Sequence, residues 1–206
     1  MKNAYDVIVI GGGASGMMAA GRAAERGKRI LLLEKNKNLG EKLKITGGGR
    51  CNITNAEESD HIFLSGFGKA ARWVYSPFAQ FGVKDTFSFF EKRGLPLKVE
   101  EEKRVFPKTE KASDVVRILI ENLKEKNVEI RTQAAVSGFI AANGNIQKVI
   151  VGKEELAASS FILSTGGLSH PETGSTGDGF QWLEKIGHAV LSPTPDLVPI
   201  AVKDQW

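Results

Sequence analysis

The chain has 206 residues, 41% of them hydrophobic and 25% charged, with a formal net charge of +4. These proportions suit a globular domain and exclude a disordered or fibrous chain, and no apolar run approaches membrane-spanning length. The single cysteine excludes an internal disulfide framework and suits a reducing cytoplasm. Basic residues are interleaved with acids, as over 98–110, without a basic stripe or an aromatic stacking platform. Nucleic acid is therefore not an expected partner, and neither is a membrane. No signal peptide precedes the first apolar run.

Residues 5–10 predict a buried parallel strand that runs straight into Gly11-Gly12-Gly13-Ala14-Ser15-Gly16. This spacing is G-x-G-x-x-G. Gly11 permits a tight turn, Gly13 lets the backbone approach a pyrophosphate, and Gly16 lets a helix lie against the sheet. The free N–H groups and positive dipole end of that helix face two phosphates. The alanine-rich stretch 14–26 predicts the helix, closed by Gly27 in a left-handed cap. A second apolar strand is expected over 29–33, and Glu34 closes it. An acid at this place accepts both ribose hydroxyls of an adenosine and selects a 2′-OH over a 2′-phosphate. Glycines also make ordinary turns, so a bare βαβ unit is the alternative; the strand–turn–helix–strand–acid order favours dinucleotide binding.

After a polar turn over 35–40 comes a second glycine cluster, 44–55, containing Thr46, Gly47, Gly48, Gly49, Arg50 and Asn52. A flexible linker would be Gly/Ser-rich and lack the arginine. Such a loop offers N–H groups and a guanidinium to an extended anionic ligand; a tight loop packed on the core is the alternative. Residues 60–110 read as mainly helical, with aromatics such as Phe63, Trp73, Tyr75, Phe78 and Phe90 that suit either a core or the cover of a flat ring. Pro107 precedes a helix expected over 113–126, with Ser113 as N-cap. Strands follow at 128–132, 136–141 and 146–151, the last two joined by an Asn143-Gly144 hairpin turn. A further strand at 161–164 runs into Thr165-Gly166-Gly167. In Gly174-Ser175-Thr176-Gly177-Asp178-Gly179, Asp178 is placed either to N-cap a helix over 180–185 or to accept hydrogen bonds from cofactor hydroxyls.

Four signatures in one order carry a resemblance: the 11–16 turn, the 44–55 loop, the Thr165-Gly166-Gly167 strand end and the 174–179 segment. Together they resemble flavoproteins with two dinucleotide-binding domains. The second and fourth are similar to the BaiN-type family of NAD(P)/FAD-dependent, aminoacetone-oxidase-like oxidoreductases, over nearly the whole chain. The resemblance implies an α/β fold: a Rossmann-like FAD-binding domain with a central parallel sheet, helices on both faces and a β-meander crossover between its third and fourth strands. It implies FAD as cofactor, NADH or NADPH as candidate electron donor, hydride transfer through flavin N5 and a small-molecule substrate. By the same resemblance Gly11, Gly13, Ala14, Ser15 and Gly16 hold the pyrophosphate and Glu34 the adenosine ribose, with Lys35 in the same cofactor site. Lys42, Thr46, Gly47, Gly48 and Arg50 line the path toward the flavin. Val136 reaches the adenine through its backbone, and Thr165 and Gly166 sit near the ADP portion. Asp178 matches the acid of the T-G-D-G segment of succinate dehydrogenase and fumarate reductase flavoproteins, where it contacts FAD.

Members of that family are longer. Residues 1–192 are thus expected to form an incomplete FAD domain, and 193–206 to begin a linker into a substrate or cap domain. The alternative is a nucleotide-binding module without turnover, active only with a C-terminal half; a homo-oligomer is also compatible with the sequence. Replacing FAD with NAD on the same fold is less well supported, since a minimal NAD domain needs neither the second glycine loop nor the T-G-D-G segment. Dithiol-reducing relatives carry C-x-x-x-x-C in a comparable loop; here Ala56 holds the second place, so Cys51 reads as a packed loop residue. His61, His170 and His188 are isolated, and neither a metal site nor a catalytic acid or base is assigned.

Overall fold

The computed structural model describes residues 5–194. Strand β1 (Tyr5–Ile10) leads into α1 (Ala14–Glu25), and β2 (Ile30–Leu33) into α2 (Glu41–Ile45). A short β3 (Thr54–Asn55) precedes α3 (Asp60–Ser65), α4 (Ala71–Gln80) and α5 (Val83–Glu91). Then come β4 (Leu97–Val99), β5 (Arg104–Pro107), α6 (Ala112–Glu125) and β6 (Glu129–Arg131). The chain continues through β7 (Val136–Ala142), β8 (Asn145–Val151), β9 (Glu154–Leu163) and α7 (Asp178–Lys185). Most of the expected linker, from residue 195 on, lies outside the described residues.

The main sheet has six strands in the order β6-β2-β1-β9-β8-β7. β6, β2, β1 and the second half of β9 run parallel. β7, β8 and the first half of β9 form an antiparallel meander. This is the expected crossover between the third and fourth parallel strands. β9 starts at Glu154 rather than 161, because a turn at Gly152 (φ +58°) passes the chain from β8 directly into it.

Alternation along β1 and β2 sorts their side chains onto two faces. Val9, Ile30 and Leu32 meet Met17 and Ala20 of α1 and Ile118 and Leu123 of α6. Ile8, Ile10, Leu31 and Leu33 face the other way, toward Val149, Ala158 and Trp182. With both faces buried, β2 reads as the unbroken apolar run Ile-Leu-Leu-Leu instead of alternating with polar residues.

Two expectations are corrected. The helical reading of 60–110 holds only to Glu91, because β3, β5 and β4 form a second, three-stranded antiparallel sheet. Pro96 and Pro107 disfavour a helix interior, and Glu102 and Lys103, both at positive φ, turn the chain between β4 and β5. Ser113 does not cap α6: the helix starts at Ala112 after Lys111, with no side-chain cap. The aromatics divide between roles. Phe90 and Phe106 are buried, whereas Trp73 and Tyr75 on α4 are exposed.

Leu123 is fully buried between α6 and the sheet. Leu123→Ala is expected to cost about 3 kcal/mol through lost transfer energy and a residual cavity. Urea unfolding of the two proteins measures this, and a loss below about 1 kcal/mol would contradict the packing described.

Candidate functional site

The C-terminal ends of β1, β2 and β9 open onto one crevice, the place where ligands bind in open parallel sheets. The glycine turn forms its floor. Gly11 has φ +104°, and a Cβ there would stand 2.4 Å from the Ser164 carbonyl oxygen. A Cβ on Gly16 would stand 1.8 Å from the Gly11 oxygen and 2.7 Å from Ser164 Oγ. Ser164 Oγ donates to the Ile10 carbonyl at 2.9 Å, closing this junction. Gly13 differs, since its φ of −77° suits any residue and a Cβ would meet nothing within 4 Å. The protein itself therefore demands Gly11 and Gly16 but not Gly13. Helix α1 starts just beyond Gly13 with no side-chain cap and no acid in its first turn. That leaves a positive helix end beside Gly13, Ala14 and Ser15, which all line the crevice.

Glu34 is a buried carboxylate, 8% exposed, at the exit of β2. Its Oε2 accepts the Gly12 N–H at 2.7 Å, and its Oε1 accepts the Asn36 N–H at 2.8 Å. Each oxygen keeps acceptor capacity for a further donor. Gly12 had no role in the sequence reading; a Cβ on it would come 2.4 Å from Leu39 Cδ2 and 3.0 Å from Glu34 Oε2. The middle glycine is thus needed for the acid to reach the turn.

The far wall comes from the segment between β9 and α7. Lys35 Nζ donates to Thr176 Oγ1 at 2.7 Å and pairs with Asp178 Oδ2 at 2.9 Å. Asn36 Nδ2 donates to the Thr173 carbonyl at 2.9 Å, and Lys42 Nζ to Ser169 Oγ at 3.2 Å. The Lys35 ammonium holds the Asp178 carboxyl below its ordinary value, with a further hydrogen bond from Thr176. Partial burial pushes the Lys42 ammonium below the usual lysine value, opposed by Glu172. Asp178 is not an N-cap: Gly177 in the left-handed region holds that place, and Asp178 is the first helical residue.

The resulting cleft has a volume of ≈ 360 Å³. The turn residues Gly11, Gly13, Ala14 and Ser15 line it, as do Glu34 and Lys35 beyond β2 and Lys42 and Thr46 around α2. Val136, Thr165, Gly166 and Asp178 complete the predicted residues found there, and Asn36, Thr173 and Ser164 join them without having been foreseen. Gly16 lies beneath the cleft, buried in α1. Gly47, Gly48 and Arg50 stand apart from it. Gly47 packs against Phe106 and Asn52, and no atom stands near a Cβ on Gly48. The Arg50 guanidinium lies 4.1 Å from the Phe106 ring centroid and pairs with Glu100 at 3.0 Å. Cys51 is buried, and burial pushes its thiol pKa up, as suits a packed residue. Among the described residues no group of His, Cys, Asp and Glu is arranged to hold a metal ion, and no helix is long and apolar enough to cross a membrane.

Sheet order, glycine turn and cleft together define a Rossmann-type domain of the class found in flavin-dependent oxidoreductases. The chain belongs to the family described as HI0933-like protein Rossmann domain, which matches residues 5–200. It is 31% identical to the 3-dehydro-bile acid delta(4,6)-reductase of Clostridium scindens, over 95% of this chain and 47% of that protein. It is 30% identical to the ribosomal RNA dihydrouridine synthase of Escherichia coli, over 96% of this chain and 48% of that protein. The chain spans about half the length of these relatives. Among solved structures it resembles the 3-ketosteroid-delta4-(5alpha)-dehydrogenase of Rhodococcus jostii RHA1, with TM-score 0.61 and 15% identity over 80% of this chain and 46% of that one. It also resembles a flavocytochrome c3 fumarate reductase, with TM-score 0.63 and 19% identity over 90% of this chain and 41% of that one. At these identities the structural likeness shows the fold alone.

The lowered Asp178 carboxyl sets a pH dependence. Its pairing stabilises fully above the ordinary aspartate value of 3.8 and is lost as pH falls through the lower folded value. Asp178→Asn is therefore expected to melt below the unmodified chain at neutral pH, with the gap closing in acid below that value. A gap in Tm that stays constant across this range would show that the ion pair is not its source.

Proposed function

We propose that this chain is the FAD-binding half of a flavin-dependent oxidoreductase that reduces an unsaturated substrate. The observation that carries the reading is the open approach at Gly13, set between an uncapped helix end and the buried carboxylate of Glu34. The fit to a dinucleotide is specific. Ala14 and Ser15 present the first-turn N–H groups to the pyrophosphate, and Glu34, fixed by two backbone donors, offers its remaining lone pairs to the ribose hydroxyls. A 2′-phosphate would meet this buried anion, so the site favours FAD over a 2′-phosphorylated nucleotide. Val136 and Ala134, which line one part of the cleft, would flank the adenine, and Lys42 and Thr46 would flank the route toward the isoalloxazine. Bound FAD supplies a two-electron carrier at N5, and the protein supplies binding, orientation and electrostatics.

The direction of reaction follows from the relatives' names, which include a reductase and a dihydrouridine synthase, both naming products richer in hydrogen. NADH or NADPH is the proposed source of electrons. The two relatives act, by name, on a bile acid and on ribosomal RNA at nearly equal identity. A second reading has a specific motive in the half-length match: the chain alone binds FAD weakly or not at all and becomes active only with a C-terminal half. Substrate-dependent flavin reduction by the 206-residue chain alone would exclude it.

Gly13 gives the cleanest test. Gly13→Val is expected to fold, losing about 1 kcal/mol from a poorer helix cap, while raising the Kd for FAD at least about tenfold. Gly11→Val, by contrast, is expected to lose the fold, since its Cβ would collide with the Ser164 carbonyl at a positive φ. Flavin absorbance titration beside circular dichroism separates the two effects. Full FAD retention by folded Gly13→Val would overturn the site.

A further inference from the structure

We propose that the outward face of α3 and α4 is a docking surface for an anionic lipid bilayer, on which the domain rests without crossing it. The inference is independent of the FAD reading, and it departs from the sequence expectation that no membrane is a partner.

Helix α4 runs for 10 residues and buries none of them. Trp73 is 73% exposed and Tyr75 66%, with Ile62 of α3 at 59%. Phe67 and Phe81 add apolar area at the margins. Apolar side chains grouped in this way mark a contact surface, whereas single exposed ones need no explanation. Other side chains join the two helices: Phe63 of α3 stacks on Phe78 of α4, ring centroids 4.6 Å apart, and Leu64 is buried. Trp73, Tyr75 and Ile62 are thus left over from packing.

Charge selects the occupant. From residue 61 through 84 there is no Asp or Glu, while Lys69, Arg72 and Lys84 carry positive charge. The whole chain has a net charge of only +4. The Arg72 guanidinium lies 4.9 Å from the Trp73 ring centroid, so cation and ring face outward as one unit. A second copy of the chain, meeting this face with the same face, would set these cations against their own kind with no acid to answer them. Single-stranded RNA could stack on Trp73 and Tyr75, but it has no use for Ile62 and follows a continuous cationic groove. An anionic bilayer meets every feature. Apolar side chains enter the acyl boundary, Trp and Tyr suit the headgroup level, and long Lys and Arg stems carry their charges to lipid phosphates.

The test is co-flotation of the 206-residue chain with phosphatidylcholine vesicles, with and without about one-third phosphatidylserine. The chain is expected to partition onto the anionic vesicles at least about tenfold better than onto neutral ones, and high salt should remove most of that difference. Trp73→Ser with Tyr75→Ser, and separately Lys69→Gln with Arg72→Gln, should each lower the partition about tenfold with an unchanged circular dichroism spectrum. Tryptophan fluorescence of the unmodified chain should shift to the blue on the anionic vesicles, and Trp73→Phe should still bind while losing that shift. Four results would overturn the inference: no co-flotation, equal binding to both vesicles, folded variants that bind undiminished, or a full blue shift in Trp73→Phe. Self-association in sedimentation equilibrium that the Trp73/Tyr75 pair abolishes would give the face to a second copy instead. Tighter binding to a single-stranded RNA oligonucleotide than to the vesicles, lost in the same variants, would give it to nucleic acid.

Discussion

Helix α1 can start where it does only because no side chain stands between its first turn and the strand ends beneath it. The virtual Cβ of Gly16 lies 1.8 Å from the Gly11 oxygen, a distance no rotamer can relieve. Ser164, at the end of β9, ties the same carbonyl cluster from the third direction. The ends of β1 and β9 and the start of α1 thus meet in a space with no room for even a methyl group. This close junction puts an uncapped helix end at the mouth of the sheet, and everything in the cleft is placed relative to it.

The same economy governs the buried charge. A carboxylate taken out of water is costly unless its oxygens are satisfied, and two backbone N–H groups from residues on either side satisfy Glu34. Those donors are available because Gly12 lets the turn approach and because the chain bends back at Asn36. The acid is therefore oriented before any ligand arrives. Preorganisation of this kind lowers the ordering cost that a ligand would otherwise bear.

Much of the fold was legible because its signals are local. The G-x-G-x-x-G turn, the Ala-rich α1 with Gly27 behind it, the Ile-Leu-Leu-Leu run and the Asn143-Gly144 hairpin each state their own conformation. The second sheet was missed because β3, β4 and β5 have only two to four residues each and are held by partners distant in sequence. No periodicity develops over such lengths. In the site, the glycine turn and Glu34 were readable from spacing, and Lys35, Lys42 and Asp178 came with the family resemblance, whereas Asn36 and Thr173 were not anticipated. Asn36 and Thr173 sit in polar stretches that look like ordinary turns, and only the fold brings them together. Arg50 shows the converse, since a guanidinium in a glycine loop suggests an anionic ligand, but Glu100, far along the chain, occupies it.

Strand β9 serves the parallel sheet and the meander at once, and its register pairs Tyr5 with Ala158 and Ile10 with Leu163. The centre of the sheet is thus built from the first and last strands among the described residues. During synthesis, β1 emerges first and pairs with β2, but its other edge stays open until the segment carrying β9 has left the ribosome. That interval exposes the apolar, hydrogen-bond-hungry edge of Val7 to Ile10 to any other extended chain. Such a long closure also makes this pairing a late event in folding, because its entropy must be met before any contact across it forms. The strand that completes the crevice is therefore also the one that closes this exposed edge.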